Sequence, residues 1–220
     1  MRKKNLVTEI LLGQKLLPLY YHESAEVSVD ILKALYSGGI RVVEYTNRGE
    51  NALKNFVALK KAAKKLPGIL IGIGTIKNKQ QAKQYIKAGA DFIVCPSMNE
   101  EVAKVTHDAG LLWIPGCMTP TEIAAAENSG ATIVKLFPGN ILGTSFLAAV
   151  KDLFPALLFM PTGGVELDKE NIAGWFKAGV CAVGMGSRLI SKELLEHKEY
   201  AKIEQLTKQA MEIVKMGKIK

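Results

Sequence analysis

Eight short apolar runs punctuate the 220-residue chain: 16–20 (LLPLY), 40–46 (IRVVEYT), 69–73 (ILIGI), 91–95 (DFIVC), 111–115 (LLWIP), 132–137 (TIVKLF), 157–160 (LLFM) and 180–185 (VCAVGM). Most are near-continuous in apolar residues rather than alternating, the pattern of strands buried on both faces, as in parallel sheets. The stretches between them carry a helical period, as in Val29-Ile31-Leu32-Leu35 and Leu53-Phe56-Val57-Leu59. Gly recurs just before a strand, in Ser37-Gly38-Gly39-Ile40, Ala88-Gly89-Ala90-Asp91, Ser129-Gly130-Ala131 and Ala178-Gly179-Val180. That is a helix-stop signal, because Gly takes the left-handed conformation that ends a helix. Helix starts are marked by Ser24, Asn99, Thr119 or Thr121, and Asp168, whose side chains can cap free backbone N–H groups.

Eight alternating β and α units predict an α/β chain folded as a single (β/α)8 TIM barrel domain over residues 1–220. Leu6, Ile10 and Leu11 predict an extra amphipathic N-terminal helix covering the barrel bottom. An open doubly wound sheet is the structural alternative. The barrel is favoured because no linker or Pro/Ser-rich break divides the chain. No stretch reaches the roughly 18 uninterrupted apolar residues of a membrane span. Met1-Arg2-Lys3-Lys4-Asn5 opens with basic residues like a signal peptide, but Thr8, Glu9, Gln14 and Lys15 prevent an apolar h-region.

Cysteine use and charge narrow the function classes. Cys95, Cys117 and Cys181 lie far apart without a CxxC pair, which argues against a zinc site or disulfide framework and suits the cytoplasm. Net charge is +8, from 29 basic and 21 acidic residues. The lysines are scattered, as in Lys60-Lys61 and Lys64-Lys65, rather than gathered on one element with interleaved aromatics. No nucleic-acid or membrane partner is expected, only a mild attraction for anionic small molecules. His22, His107 and His197 do not cluster with carboxylates, so no metal and no cofactor are expected.

Candidate chemistry sits where polar residues interrupt strand ends, since barrel active sites occupy the C-terminal face. Lys135 lies inside Ile133-Val134-Lys135-Leu136-Phe137-Pro138. A lysine there costs free energy unless paired or neutral, and a neutral amine attacks carbonyls. The bland alternative is a lysine whose head snorkels out at the strand end. Glu44, in Val43-Glu44-Tyr45-Thr46-Asn47-Arg48, is equally out of place; its structural reading is a salt bridge with Arg48 or Lys135. Gly74-Thr75 puts a hydroxyl at the mouth, and Cys95-Pro96-Ser97 and Pro115-Gly116 end two further strands. Pro161-Thr162-Gly163-Gly164 and Gly184-Met185-Gly186-Ser187 follow the last two strands. Barrels frequently bind phosphate there, through backbone N–H groups and a helix N-terminus.

Taken in order, Glu44-x-x-x-Arg48, Gly74-Thr75, Lys135-Leu136-Phe137-Pro138, Pro161-Thr162-Gly163-Gly164 and Gly186-Ser187 resemble the 2-dehydro-3-deoxy-6-phosphogluconate (KDPG) aldolases. Pro115-Gly116 with Thr119-Pro120-Thr121-Glu122 adds to the likeness. These are class I pyruvate aldolases that overlap with 4-hydroxy-2-oxoglutarate aldolases. The resemblance implies a homotrimer of (β/α)8 barrels that cleaves a small keto acid to pyruvate and glyceraldehyde 3-phosphate. It implies that Lys135 forms the Schiff base and Glu44 moves protons. Arg48 and Thr75 would hold the substrate carboxylate, Pro96 and Phe137 would wall the pocket, and Gly163, Gly164, Gly186 and Ser187 would bind phosphate. Two departures bear on the aldehyde accepted. Gly139-Asn140 stand where the family often has Ala-Glu or Ala-Ser, and Tyr20-Tyr21-His22 where many members have a basic residue. The alternatives are a 4-hydroxy-2-oxoglutarate or 2-dehydro-3-deoxy-6-phosphogalactonate aldolase, an epimerase or thiamine-phosphate-type synthase, or a non-catalytic sugar-phosphate-binding barrel. Binding alone does not need a buried amine, so Lys135 and Glu44 together argue against the last.

Overall fold

All eight apolar runs become parallel strands in a computed structural model that describes residues 3–216; the basic opening at Met1 and Arg2 lies outside the described residues. The strands are β1 (Leu16–Tyr20), β2 (Val42–Thr46), β3 (Leu70–Gly74), β4 (Phe92–Val94), β5 (Leu112–Ile114), β6 (Gly116–Cys117), β7 (Ile133–Leu136), β8 (Leu158–Pro161) and β9 (Val183–Met185). The fifth run departs from expectation: instead of stopping at Pro115, the strand resumes as Gly116–Cys117. Pro115 has no N–H to give a ladder, so it divides one length of chain into β5 and β6.

One sheet has the order β5-β4-β3-β2-β1-β9 and the other β6-β7-β8. A parallel bridge between Thr162 and Gly184 joins the end of β8 to β9. The result is a curled parallel sheet with its helices in the connections.

Alternation along each strand sorts the core into two parts. Leu17, Val42, Phe92, Val94, Leu112, Ile114, Ile133 and Met160 form a small cluster with Cys181 and Ala182. Tyr45, Ile71, Ile93, Trp113, Val134 and Phe159 belong to a larger one that includes helical residues such as Leu35, Phe56 and Phe176. Helix α1 (Lys3–Gln14) sends Val7 and Leu11 into the small cluster, and Ile10 packs against it. Of the three residues that suggested this helix, Leu11 is fully buried and Leu6 only partly, whereas Val7 was not singled out. The buried Gln14 amide ties the helix end to the strands: Nε2 donates to the Leu16 and Val42 carbonyls, and Oε1 accepts from Arg41 N and Val42 N. Such a residue is legible only in three dimensions, because its partners lie up to 28 positions away.

The helix signals also hold. Gly39, Gly89, Gly130 and Gly179 all have positive φ. Ser24, Asn99 and Asp168 cap their helices, and Thr119 rather than Thr121 begins α6 (Pro120–Asn128), in a capping box with Glu122. Among the described residues no helix is long and apolar enough to cross a membrane.

Candidate active site

The small cluster ends where the strands turn polar. Two residues beyond Val42 comes Glu44, and two beyond Ile133 comes Lys135. A step of two keeps a side chain on the same face, so both groups continue the inner surface of the sheet. Thr46 and Phe137 follow them one further step toward the strand ends.

Glu44 is 1% exposed and Lys135 5%. Their closest approach, Lys135 Nζ to Glu44 Oε1, is 4.0 Å. That is a charge contact, too long for a hydrogen bond. Glu44 Oε2 is buried with no hydrogen-bond partner among the described residues. Buried ion pairs hold a fold together through close, fully hydrogen-bonded geometry. The loose contact and orphaned oxygen make a purely structural salt bridge a poor account of this pair. Burial pushes the Glu44 carboxyl above the ordinary carboxylate range, opposed in part by the charges of Lys135 and then Arg48. Lys135 Nζ also lies 5.2 Å from the centre of the Phe137 ring.

Glycine makes the room. A Cβ on Gly74, the ladder partner of Thr46, would overlap the Glu44 carboxylate. One on Gly184 would meet Thr162 Oγ1, and one on Gly116 would meet the Pro96 carbonyl. We expect Gly74→Ala to displace Glu44 and lower kcat by at least about tenfold, since misplaced catalytic groups lose rate steeply. Steady-state kinetics beside a thermal melt will check this; unchanged kcat would show that the carboxylate position is immaterial.

Above the pair lies a cavity of about 300 Å³ lined by Leu19, Tyr20, Tyr21, Thr46, Arg48, Phe137, Thr162, Gly163, Gly186, Ser187, Ile190 and Leu195. Five of the residues picked from sequence therefore share one space: Arg48, Phe137, Gly163, Gly186 and Ser187. Gly164 lines an adjoining cavity of about 330 Å³ that shares Gly163, Gly186 and Ser187. Thr75 and Pro96 line neither cavity, although each follows a strand end. Thr75 has φ of +61°, an unusual conformation for a β-branched residue and one that persists only where its surroundings enforce it.

Two features differ from the sequence reading. Neither helix that follows a glycine loop in the chain begins at that loop; the helix N-terminus packed on Gly163 and Gly164 is instead that of the Gly139–Val150 helix, which follows Lys135. After Gly186 comes a single turn, in which Leu189 N and Ile190 N donate to the Gly186 carbonyl. The helices that follow, α8 (Lys169–Ala178) and α9 (Lys192–Glu196), start further along the chain. The cavity also gains Thr46 and Thr162, to which the sequence gives no role, and Tyr20 and Tyr21, whose place at the end of the first strand bears on the aldehyde accepted. Thr46 was within reach, being two residues beyond Glu44. Thr162 stands likewise two beyond the buried Met160, and its Oγ1 is buried without a hydrogen-bond partner among the described residues. Ile190 and Leu195 gave no local signal. Among the described residues, no group of three or more His, Cys, Asp or Glu side chains is placed to hold a metal ion.

The chain is similar to known proteins of one family. A family model described as "KDPG and KHG aldolase" matches residues 7–206. A 2-dehydro-3-deoxy-phosphogluconate aldolase from Treponema pallidum (strain Nichols) is 32% identical over 94% of this chain and 97% of its own length. A KHG/KDPG aldolase from Escherichia coli (strain K12) is 31% identical over 97% of this chain and 98% of its own. Among solved structures, a KDPG aldolase from Legionella pneumophila, with pyruvate captured as a covalent carbinolamine intermediate, superposes with a TM-score of 0.84 at 26% identity, covering 93% of this chain and 97% of that one.

Proposed function

Since the chain belongs to the KDPG and KHG aldolase family, we propose that it cleaves a 2-keto-3-deoxy-4-hydroxy acid to pyruvate and an aldehyde through a Schiff base on Lys135. The substrate in this reading is 2-dehydro-3-deoxy-6-phosphogluconate and the aldehyde is glyceraldehyde 3-phosphate. The observation that carries it is the buried, loosely paired Lys135 and Glu44 at 4.0 Å, one step beneath the cavity.

Lys135 Nζ attacks the C2 ketone, and the carbinolamine loses water to give an iminium ion. Glu44 takes the proton of the C4 hydroxyl. The C3–C4 bond breaks, its electron pair passes into the iminium, and an aldehyde departs from the lysine-bound enamine. Glu44 then returns the proton to C3, and water hydrolyses the resulting iminium to pyruvate and free Lys135. A carboxyl raised by burial suits both halves of this exchange, because a general acid–base works best with its pKa near the operating pH. Phe137 and Pro96 wall the reacting centre, and Gly163, Gly164, Gly186 and Ser187 bind the phosphate.

Arg48 and Thr75 hold the carboxylate, and a guanidinium does so with a planar fork that an ammonium cannot copy. We expect Arg48→Lys to raise the KM for keto acids roughly tenfold or more, the cost of one charge-assisted hydrogen bond, while the melting temperature stays within a degree or two. Unchanged kinetics would remove Arg48 from this role.

The same reading includes a closed (β/α)8 TIM barrel as a single domain, with α1 across its bottom. The pairings through β1–β9 and the Thr162–Gly184 bridge support closure, and Val7 and Leu11 in the inner cluster support the cover. It also includes a homotrimer in the cytoplasm with a small-molecule keto acid as its partner and no nucleic acid, membrane, metal or cofactor. A second aldehyde, that of 4-hydroxy-2-oxoglutarate, is favoured by one observation: Tyr20 and Tyr21 make the β1 side of the cavity uncharged. A panel of phosphorylated and unphosphorylated acids separates the two. The chemistry itself is tested by borohydride reduction with pyruvate. A mass gain on the Lys135 peptide is the expected result, and no gain would defeat the Schiff-base reading.

A further inference from the structure

Resting on the reading above, the geometry points to Arg188 as the cation that meets the substrate phosphate, with Glu166 holding it at the glycine loops beforehand. The first ground is charge balance. Among the described residues, Arg48 is the one ionic side chain lining the 300 Å³ cavity, and it is assigned to the carboxylate. A phosphate at Gly163, Gly186 and Ser187 therefore has backbone and hydroxyl donors there but no countercharge.

The adjoining 330 Å³ cavity supplies one. It shares those three residues and adds Gly164, Glu166 and Arg188. Arg188 Nε meets Glu166 Oε2 at 2.5 Å, so the pair spans from the loop after β8 to the loop after β9. Both side chains are accessible, at 62% and 41% exposure. Glu166 is itself well placed. Its N–H donates to Asn171 Oδ1, while Asn171 Nδ2 donates to the Gly164 carbonyl, fixing the loop between the glycines and α8.

A lone carboxylate beside this loop would repel a phosphate dianion. Paired with Arg188 it does not, and a guanidinium has five donors, more than one carboxylate uses. An arriving phosphate can thus take terminal N–H groups of Arg188 in a forked contact. The competing demand for Arg188 makes Glu166 a brake on phosphate affinity as well as a holder.

The test uses the full chain and two variants, with thermal melts confirming that each folds. For Arg188→Gln we expect KM for the phosphorylated six-carbon acid to rise roughly ten- to hundredfold, the worth of a charge-assisted contact, with kcat within about twofold. KM for the unphosphorylated acid should not move. For Glu166→Gln, inorganic phosphate should inhibit more tightly. Equal KM changes on both acids, or none, would overturn the assignment of Arg188; weaker phosphate inhibition of Glu166→Gln would overturn the role of Glu166 as a brake. Absence of the borohydride adduct in the parent protein would instead defeat the aldolase reading, and calorimetric titration with inorganic phosphate would still decide whether Arg188 binds the anion.

Discussion

Lys135→Arg is expected to reduce pyruvate formation by at least about ten-thousandfold, the scale on which enzymes lose rate when a covalent nucleophile is removed. The substitution is chosen for what it preserves. Arginine keeps a positive charge opposite Glu44, so the buried carboxylate is not stranded, and stranding it would cost stability. What arginine cannot do is form an imine under these conditions, because its guanidinium stays protonated. The variant should therefore fold, bind phosphate at the glycine loops, and yield no borohydride-stable adduct with pyruvate. Retained turnover would identify another nucleophile. Loss of turnover together with loss of folding would be uninformative, so Lys135→Met, which exchanges the amine for an apolar chain of similar length, serves as a second probe. It should also be inactive while a thermal melt shows it folded, and retained pyruvate formation would identify another nucleophile.

Much of this scaffold was legible because the sheet leaves a one-dimensional trace. Strands covered on both faces must be apolar throughout, so runs such as Phe92–Val94 and Ile133–Leu136 stand out even at three or four residues. For the same reason Glu44 and Lys135 stood out: ionisable residues cost most in those positions, and both are buried. The positive φ of Gly179 was foreshadowed because a helix that must stop before a strand favours the residue with least penalty there.

What escaped was set by contacts between distant segments. Leu195, on α9, comes to line the cavity only through the packing of the C-terminal helices, and nothing around it in sequence differs from an ordinary helix face. The Arg188–Glu166 contact joins residues 22 positions apart in two separate loops, each of which reads as a charged surface residue when taken alone. Thr46 and Thr162 are a different case. Both lie two residues beyond an inner-face position, so the strand period contained them. Threonine is ordinary at strand ends, so neither stands out in the sequence.

Glu44→Gln should separate proton transfer from imine formation. Gln fills the same volume beside Gly74 and leaves Lys135 in place, but it cannot accept the C4 hydroxyl proton. We expect kcat for cleavage to fall roughly a hundred- to ten-thousandfold, the range for a lost general acid–base, with KM changed far less. Pyruvate should still be trapped by borohydride, though more slowly, and the limb of the pH–kcat profile that reports the carboxyl should disappear. Stability gives an independent reading of the same group. The folded-state pKa of Glu44 is raised by burial, so the native protein binds the proton more tightly than the unfolded chain does. The slope of unfolding free energy with pH is then negative between the unfolded value and the raised folded one. The stabilisation is fully present below the ordinary carboxylate pKa and is lost as pH rises through the folded value. Replacing Glu44 by Gln removes that loss, so the variant should gain on the parent as pH climbs from about 4 toward neutrality. Parallel melting curves for the two proteins across that range would mean that Glu44 ionises as easily folded as unfolded, and that burial does not prepare it to exchange protons with substrate.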